Sequence, residues 1–405
     1  MGSFEMHSFR SIDRALTTEE QKEIDTWSSR FSPNSTGITY IYHYGSFKKD
    51  PDKIFHQYFD AMLHVSNWGV MQLMFRFQKD MLNISELLRF EVGTKWEAHL
   101  KFDRKGDYIV MDLYWNEEEG DGWIDEGDYE LDSLLSLREE ILKGDYRTLY
   151  LAWMIVMEKI GSAGEEDDDY DEDDDLYYDE EDDVYEKLGE GSSRQAPPIP
   201  PNLQKLTVAH KELIRVFEIN KNLVSGVATI SSNATQNKID YVALIQQLSD
   251  QEKDAFLLQL VKGAPRVELT LRKRLLMLGD GNTIETKGKI LTWQEISRLG
   301  AAAENQANAA FKIEQERVHI EKMKRLANQK ALLWAEVERY ILKSGGNSYD
   351  KATETLCDLK AVAEYEKELG DFEKELDALL MKFSGRSALM RRWQAKGLRI
   401  KTIKR

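Results

Sequence analysis

The chain has 405 residues and a formal net charge of −17, with 41% hydrophobic and 10% aromatic residues. This length and composition predict a globular protein of two or three domains, each able to bury a core. The single cysteine, Cys357, excludes an intramolecular disulfide framework and a cysteine-rich zinc module, which fits a reducing cytoplasm. The start, MGSFEMHSFRSIDR, holds no apolar signal core, and no apolar run approaches the ~18 residues that a membrane span needs. We therefore expect a cytoplasmic protein with no membrane partner.

Strand and helix signals alternate over residues 1–164. Apolar periodicity, capping residues and a Gly-containing turn predict, in chain order, a short helix capped by Thr17, a strand over 38–47, a helix over 50–65, a strand over 69–77, a hairpin of 96–102 and 108–115, and helix over 131–160. This order predicts an α+β domain with helices on a small mixed or antiparallel sheet.

An acidic run divides the chain. Glu165–Glu186 contains sixteen Asp and Glu and no Lys or Arg, and Pro197–Pro201 follows it. Residues 1–164 carry about −11 and residues 201–405 about +9. Such a charge block predicts a disordered linker over 165–201 with a proline hinge.

The acidic run also has functional interpretations, which stay open beside a plain solvated linker. One interpretation is an acidic bait for a basic partner, or a nucleic-acid mimic, in which the tyrosines anchor the partner. Another interpretation is a buffer of divalent ions. The candidate partner-binding residues are Asp167, Asp171, Asp174, Tyr177, Tyr178 and Asp182.

The sequence after Pro197–Pro201 has the apolar spacing of helices throughout. Helical spacing covers residues 203–223, 250–260 with a cap at Ser249 or Asp250, 292–343 and 349–383, with breaks at 345–347 and near Gly370. We predict an all-α C-terminal region: a helical domain over 202–290, then a long helix and an antiparallel helical hairpin over 291–385.

Residues 386–405 form a basic tail with eight Lys and Arg and no acid. Basic side chains with an interleaved tryptophan are typical of phosphate contacts plus one stacking ring. Three other interpretations stay open: the apolar residues dock on the preceding hairpin, the tail pairs with the acidic linker, or the tail makes a peripheral membrane contact. The candidate residues for binding a partner or nucleic acid are Arg391, Arg392, Trp393, Lys396, Arg399 and Lys401.

Histidines offer a catalytic alternative. The predicted helix over 50–65 would place His56, Asp60 and His64 on nearly one side, and His43 on the preceding strand would join a metal or acid–base site there. The neighbouring Phe55, Phe59 and Leu63 favour ordinary packing instead. Because no phosphate-binding loop or nucleophile elbow is present, we predict no catalytic, cofactor-binding or metal-binding residue.

Four runs resemble a known group of sequences. FEMHSFRSIDRALTTEEQ and YHYGSFKKDPDKIFHQYFDAMLHVSNWG resemble the N-terminal signature of an uncharacterised family of bacterial proteins, and SDQEKDAFLLQLVKG and YDKATETLCDLKAVAEYEKELGDFEKELDALLMKF resemble its middle and end. The C-terminal hairpin is also similar to the helical tail of bacterial SWIM zinc-finger proteins, through Tyr349, Ala352, Leu356, Leu359 and Phe372. That tail implies protein contacts. The resemblance does not imply zinc binding, since this chain lacks the cysteines of a SWIM finger.

These features predict a non-enzymatic adaptor or regulatory protein of the bacterial cytoplasm that needs no cofactor and binds protein partners. The resemblance implies SWIM-type or helicase-like neighbours as partners, or a role as accessory subunit of a CRISPR-linked defence system in which a protease controls a sigma factor. The alternative is a nucleic-acid-binding accessory protein that uses the basic C-terminal half. An enzyme, the third possibility, would need a concave site around His43, His56, Asp60 and His64.

Overall fold

The structure, a computed structural model, describes residues 4–94, 97–116, 129–163, 195–233, 241–264, 267–278 and 288–398. The chain divides into two compact units, Met1–Glu304 (unit 1) and Asn305–Arg405 (unit 2). Unit 1 contains an antiparallel sheet with helices, and the C-terminal region is all helical, so the predicted fold class is confirmed. The acidic run lies outside the described residues. Among the helices that the structure describes, none combines the length and apolarity needed to cross a bilayer.

One seven-stranded antiparallel sheet organises unit 1, in the order β2-β1-β3-β4-β7-β6-β5. The predicted hairpin is its β6–β7 pair, and the predicted strands over 38–47 and 69–77 are β2 and β4. The strand at the start of the chain, β1, was not predicted. The strands are β1 Glu5–Arg10, β2 Gly37–Tyr42, β3 Ala61–Ser66, β4 Val70–Gln78, β5 Val92–Gly93, β6 Ala98–Lys105 and β7 Tyr108–Asn116.

Two helices of unit 1 begin at capping boxes. Thr17 and Ser249 each accept the N–H of a glutamate three residues on, whose carboxylate accepts the N–H of the cap, so both predicted N-caps are confirmed. The helices are α1 Thr18–Asp25, α2 Pro51–Tyr58, α3 Ile84–Leu87, α4 Leu135–Leu142, α5 Arg147–Ala163, α6 Val208–Val216, α7 Lys221–Ala228, α8 Tyr241–Gln246, α9 Asp250–Val261, α10 Val267–Leu278 and the first part of α11 Trp293–Ala327.

The main core lies on one face of the sheet, against α5. Every residue from Leu149 to Met157 is buried there, as the uninterrupted apolar run predicts. Helices α6 and α7 pack into the same core. The structure therefore divides the chain differently from the predicted boundary at 202, because a single core joins the sheet to the first helices after the prolines.

The proline segment is part of this core and not a hinge. The Ala196 N–H donates to the Leu291 carbonyl at 2.7 Å, and the Ile199 N–H donates to the Lys289 carbonyl at 3.1 Å. Ile199 is buried, and a side-chain carbon at Gly288 would clash with its backbone. The paired backbone fixes residues 195–199 in place.

The opposite face of the sheet carries α1 and α2, and here the predicted helix over 50–65 is wrong. Helix α2 ends at Tyr58 and residues 61–66 form β3, which pairs with β1 on one side and β4 on the other. The buried Asp60 carboxylate marks the transition, since it accepts the N–H groups of Ile12 and Asp13 at 2.7 and 2.9 Å. These long-range bonds outweigh the local helical pattern.

Unit 2 contains the rest of α11 and a helical hairpin. Lys330, at the start of α12, forms an ion pair with Glu366, just past the end of α13, so these two helices run antiparallel as predicted. The predicted helix over 292–343 is interrupted at Asn328–Gln329, and the break predicted near Gly370 lies instead at Glu366–Glu368. The helices are α12 Lys330–Lys343, α13 Gly346–Tyr365, α14 Leu369–Phe383 and α15 Ser387–Ala395.

Candidate functional site

A row of polar side chains crosses the α1–α2 face of the sheet in register. Each residue of the row is the direct cross-strand partner of the next, so all of them project from the same face. Buried polar groups need a structural or chemical reason. We call this set the polar row: Tyr40, His7, His64, Gln72, Tyr114 and His99.

A Glu–His–His cluster contains two neighbouring residues of the row, His7 and His64. Glu5 and His7 are two residues apart on β1, and His64 faces His7 from β3. The Glu5 Oε1 atom lies 2.9 Å from His7 Nε2 and 3.6 Å from His64 Nε2, and the two rings stack with centroids 4.0 Å apart. Glu5 and His7 are buried, and His64 is partly exposed. We call these three residues the Glu5 cluster.

The electrostatics of the Glu5 cluster favour a charged carboxylate. Burial raises the pKa of Glu5, but the His64 and His7 imidazoles and the Phe47 N–H, which donates to Oε2 at 2.9 Å, together hold that pKa well below its usual range. Burial lowers the pKa of His7, although Glu5 opposes the shift. The cluster is thus a buried carboxylate facing two nitrogen ligands.

A second carboxylate lies farther along the same face, beside His99. Asp112 accepts a hydrogen bond from Gln72 Nε2 at 2.9 Å, and its other oxygen lies 3.2 Å from His99 Nε2 and 3.7 Å from Lys101 Nζ. The His99 ring stacks on Tyr114 with centroids 5.1 Å apart. The Asp112 charge is therefore neutralised by a cation and satisfied by hydrogen bonds, which gives this group a structural role.

The four residues of the predicted metal or acid–base site do not converge. Asp60 is buried in an ion pair with Arg76, at 3.1 Å from Nε and 2.8 Å from Nη2. His56 contributes its backbone carbonyl to the same arginine, and His43 lies exposed just beyond β2. Only His64 enters a cluster, and its partners are Glu5 and His7. The Glu-x-His spacing of Glu5 and His7 places both side chains on one face of a strand. This spacing predicts the cluster only if β1 is recognised as a strand.

The described part of the basic tail docks on the hairpin of unit 2. Trp393 and Leu389 are fully buried in its core, so the indole is not available to stack on a base. Arg392 forms an ion pair with Asp350, while Arg391 and Lys396 are exposed. Arg399 and Lys401 lie outside the described residues, as do the six candidates of the acidic run.

Large apolar side chains are exposed on α8 and on α9 of unit 1. Leu257, Leu260 and Val261 stand at i, i+3 and i+4 on one side of α9 and are 60%, 51% and 86% exposed. The other large apolar side chains exposed on these two helices are Leu258, Tyr241, Val242 and Ile245. Of the described residues of α9, none is buried. We call this set the α8–α9 surface.

Comparisons with known proteins add no relative. No protein-family model matches the chain, and neither a curated protein nor a solved structure matches it. The resemblances to a bacterial family and to the SWIM-protein tail therefore remain predictions, and the interpretation of function depends on the residues themselves.

Proposed function

We propose that the protein is a non-enzymatic adaptor or regulatory protein that binds a protein partner through the α8–α9 surface. The observation that carries the proposal is the exposure of Leu257, Leu260 and Val261 on one side of a helix. Apolar side chains grouped on a surface mark interaction sites, whereas single ones do not. Burying one leucine against a partner contributes at most roughly 1.5–3 kcal/mol, so these side chains would act as anchors within a larger interface.

The geometry of the surface favours a helix or a groove as its counterpart. Three side chains at i, i+3 and i+4 are the anchors with which an amphipathic helix docks on another protein. The partners proposed from the resemblance are a SWIM-type or helicase-like protein, or a component of a protease and sigma-factor defence system, in the bacterial cytoplasm. The α8–α9 surface does not depend on that resemblance.

A helix-preserving variant tests the proposal. Leu257→Glu with Val261→Lys places opposite charges at i and i+4, an arrangement that supports a helix while it removes the apolar contacts. The matched control carries the same two charges at leucines of the hairpin, Leu332→Glu with Leu342→Lys, which are 60% and 61% exposed. Full-length proteins are immobilised, and the proteins captured from the source cells are identified by mass spectrometry.

The proposal predicts that the wild type and the hairpin control retain the same partner and that the α9 variant loses it. Capture of the same proteins by all three would contradict the proposal. Circular dichroism of each variant, with wild-type helix content expected, separates loss of binding from loss of folding.

A further inference from the structure

We propose that Glu5, His7 and His64 form a binding site for one divalent transition-metal ion, with Zn²⁺ as the probe. This site lies in the sheet, and the proposal is independent of the α8–α9 surface and of the proposed adaptor function. It assigns two imidazole nitrogens and one carboxylate oxygen as the protein ligands. Such a donor set suits zinc and the neighbouring metals of the first row, and three protein ligands leave a position for water.

The separations of the ligand atoms fit a small metal ion. One ligand atom from each of the three side chains lies within 4.8 Å of the other two. With metal–ligand bonds of about 2.0–2.1 Å, tetrahedral ligands stand roughly 3.3 Å apart. The two distances from Glu5 Oε1, 2.9 Å to His7 Nε2 and 3.6 Å to His64 Nε2, lie on either side of that value.

The backbone places the three ligands before any metal binds. Glu5 and His7 alternate onto one face of β1, and His64 is the direct partner of His7 on β3. All three belong to the ordered sheet, and the Phe47 N–H fixes one oxygen of Glu5 and leaves the other facing both imidazoles. A hydrogen bond from outside the ligand set that orients a ligand in this way is typical of metal sites.

One ligand atom makes no hydrogen bond in the described structure, and its neighbour Glu5 Oε1 lies 3.6 Å away. Among the described residues, His64 Nε2 is buried and has no hydrogen-bond partner. An orphaned buried nitrogen costs free energy unless something binds it. The His64 side chain is 13% exposed, against 2% for His7, so the cluster lies nearer to solvent on the His64 side.

Glu5 and Asp112, the two carboxylates on this face of the sheet, differ in their charged neighbours. Glu5 makes its close ionic contacts in the described structure with His7 and His64 alone, and no Lys or Arg of the described residues pairs with its carboxylate. Asp112, in contrast, lies 3.7 Å from the Lys101 ammonium, which would repel a metal ion. His99 and Asp112 are therefore a matched control on the same sheet face.

Metal binding changes the orientation of the rings. The two imidazoles are nearly parallel, with an interplanar angle of 14°, whereas a metal must lie in the plane of each ring that binds it. The rings must turn about their Cβ–Cγ bonds, a torsion with broad minima, and the ion takes the place of the proton on His7 Nε2, which moves to Nδ1 or to solvent. The apo and metal-bound proteins should thus differ in the nuclear magnetic resonance signals of these two histidines.

The test uses untagged full-length protein, dialysed against a chelator and titrated with Zn²⁺ by calorimetry. The wild type should bind one equivalent and show a higher melting temperature with the metal present. His64→Ala and Glu5→Gln should each weaken binding by roughly tenfold or more, since loss of a hydrogen bond that only orients a ligand already costs about that much. His99→Ala should bind as the wild type does.

Two results would overturn the proposal: no saturable Zn²⁺ binding by the wild type, or equal binding by the wild type, His64→Ala and Glu5→Gln. His64 is chosen in preference to the fully buried His7 because its truncation leaves most of the core intact. Titration with Co²⁺ is a second readout. A visible absorption band that appears with the wild type and is lost in His64→Ala supports the site, and identical spectra for both oppose it.

Discussion

The imidazole rings of His7 and His64 stack across β1 and β3, and both Nε2 atoms approach the same oxygen of Glu5. This relationship depends on register, because a slip of one residue between the two strands would move one ring to the opposite face. The Glu5 cluster is thus a product of strand pairing and not of sequence proximity. The residues around it make several specific predictions about stability and binding.

Asp60→Asn should destabilise the protein by about 3–5 kcal/mol. The substitution leaves the buried Arg76 guanidinium without its charge partner and weakens the bonds that Asp60 accepts from the Ile12 and Asp13 N–H groups. The control is Asp132→Asn, since Asp132 is mostly exposed where it pairs with Arg10, and the change there should cost less than about 1 kcal/mol. Urea unfolding of both variants measures the difference, and equal midpoints would contradict the prediction.

His210 should make the protein sensitive to acid. Its Nδ1 accepts the Thr207 N–H at 3.2 Å, which closes the N-terminal cap of α6, and burial lowers its pKa to about 4. The unfolded chain binds a proton near pH 6.5 and the folded chain only near pH 4, so stability is complete above pH 6.5 and falls as the pH drops toward 4. The loss is at most about 3 kcal/mol, because the Glu140 carboxylate, 3.2 Å from His210 Nε2, would stabilise the protonated ring.

His210→Gln removes this titration and keeps an acceptor for the cap. Urea midpoints are measured at steps from pH 7 to pH 4. The wild type should lose more stability over this range than the variant does. Parallel curves for the two proteins would show that His210 does not titrate in this window.

Gly226→Ala should destabilise unit 1, because a methyl group there would lie 2.5 Å from the backbone of Leu299 where α7 crosses α11. Overpacking of this kind costs about 1–3 kcal/mol. Gly370, on α14, has open space around it, so Gly370→Ala should be neutral or stabilise by up to about 1 kcal/mol. Thermal unfolding of the two variants compares them, and a tolerated alanine at 226 would contradict the close approach of the helices.

The basic tail should contribute charge but no stacking to any binding of nucleic acid. Trp393 is buried, whereas Arg391 and Lys396 are exposed. In filter binding with single-stranded DNA, Arg391→Glu with Lys396→Glu should lower whatever affinity the full-length protein shows, and Trp393→Phe should leave it unchanged. Phosphate contacts must weaken as salt rises. A loss of affinity in Trp393→Phe with an intact fold would favour the stacking interpretation.

Some elements could be predicted from the sequence because their signals are local. The hairpin of β6 and β7 follows from two β-rich runs around a short turn, and the caps at Thr17 and Ser249 follow from the glutamate three residues on. The buried α5 follows from one uninterrupted apolar run.

The Glu5 cluster could not be predicted from the sequence, because long-range strand pairing brings its three residues together. Residues 61–66 continue an apolar pattern that also suits a helix, and only the pairing with β1 and β4 makes them a strand. His64 was therefore assigned to a helix with His56. Glu5 and His7 lie in a short segment without a strong strand pattern, and their alternation gains meaning once β1 is known.

Site-specific photo-crosslinking in the source cells tests the central claim, that the α8–α9 surface holds a protein partner, most directly. A benzophenone amino acid is placed at Leu257 in one protein and, as a control with equal exposure, at Leu342 in another. We predict a light-dependent covalent adduct with one protein from position 257 that does not form from position 342. No adduct from position 257, or the same adduct from both positions, would contradict the account.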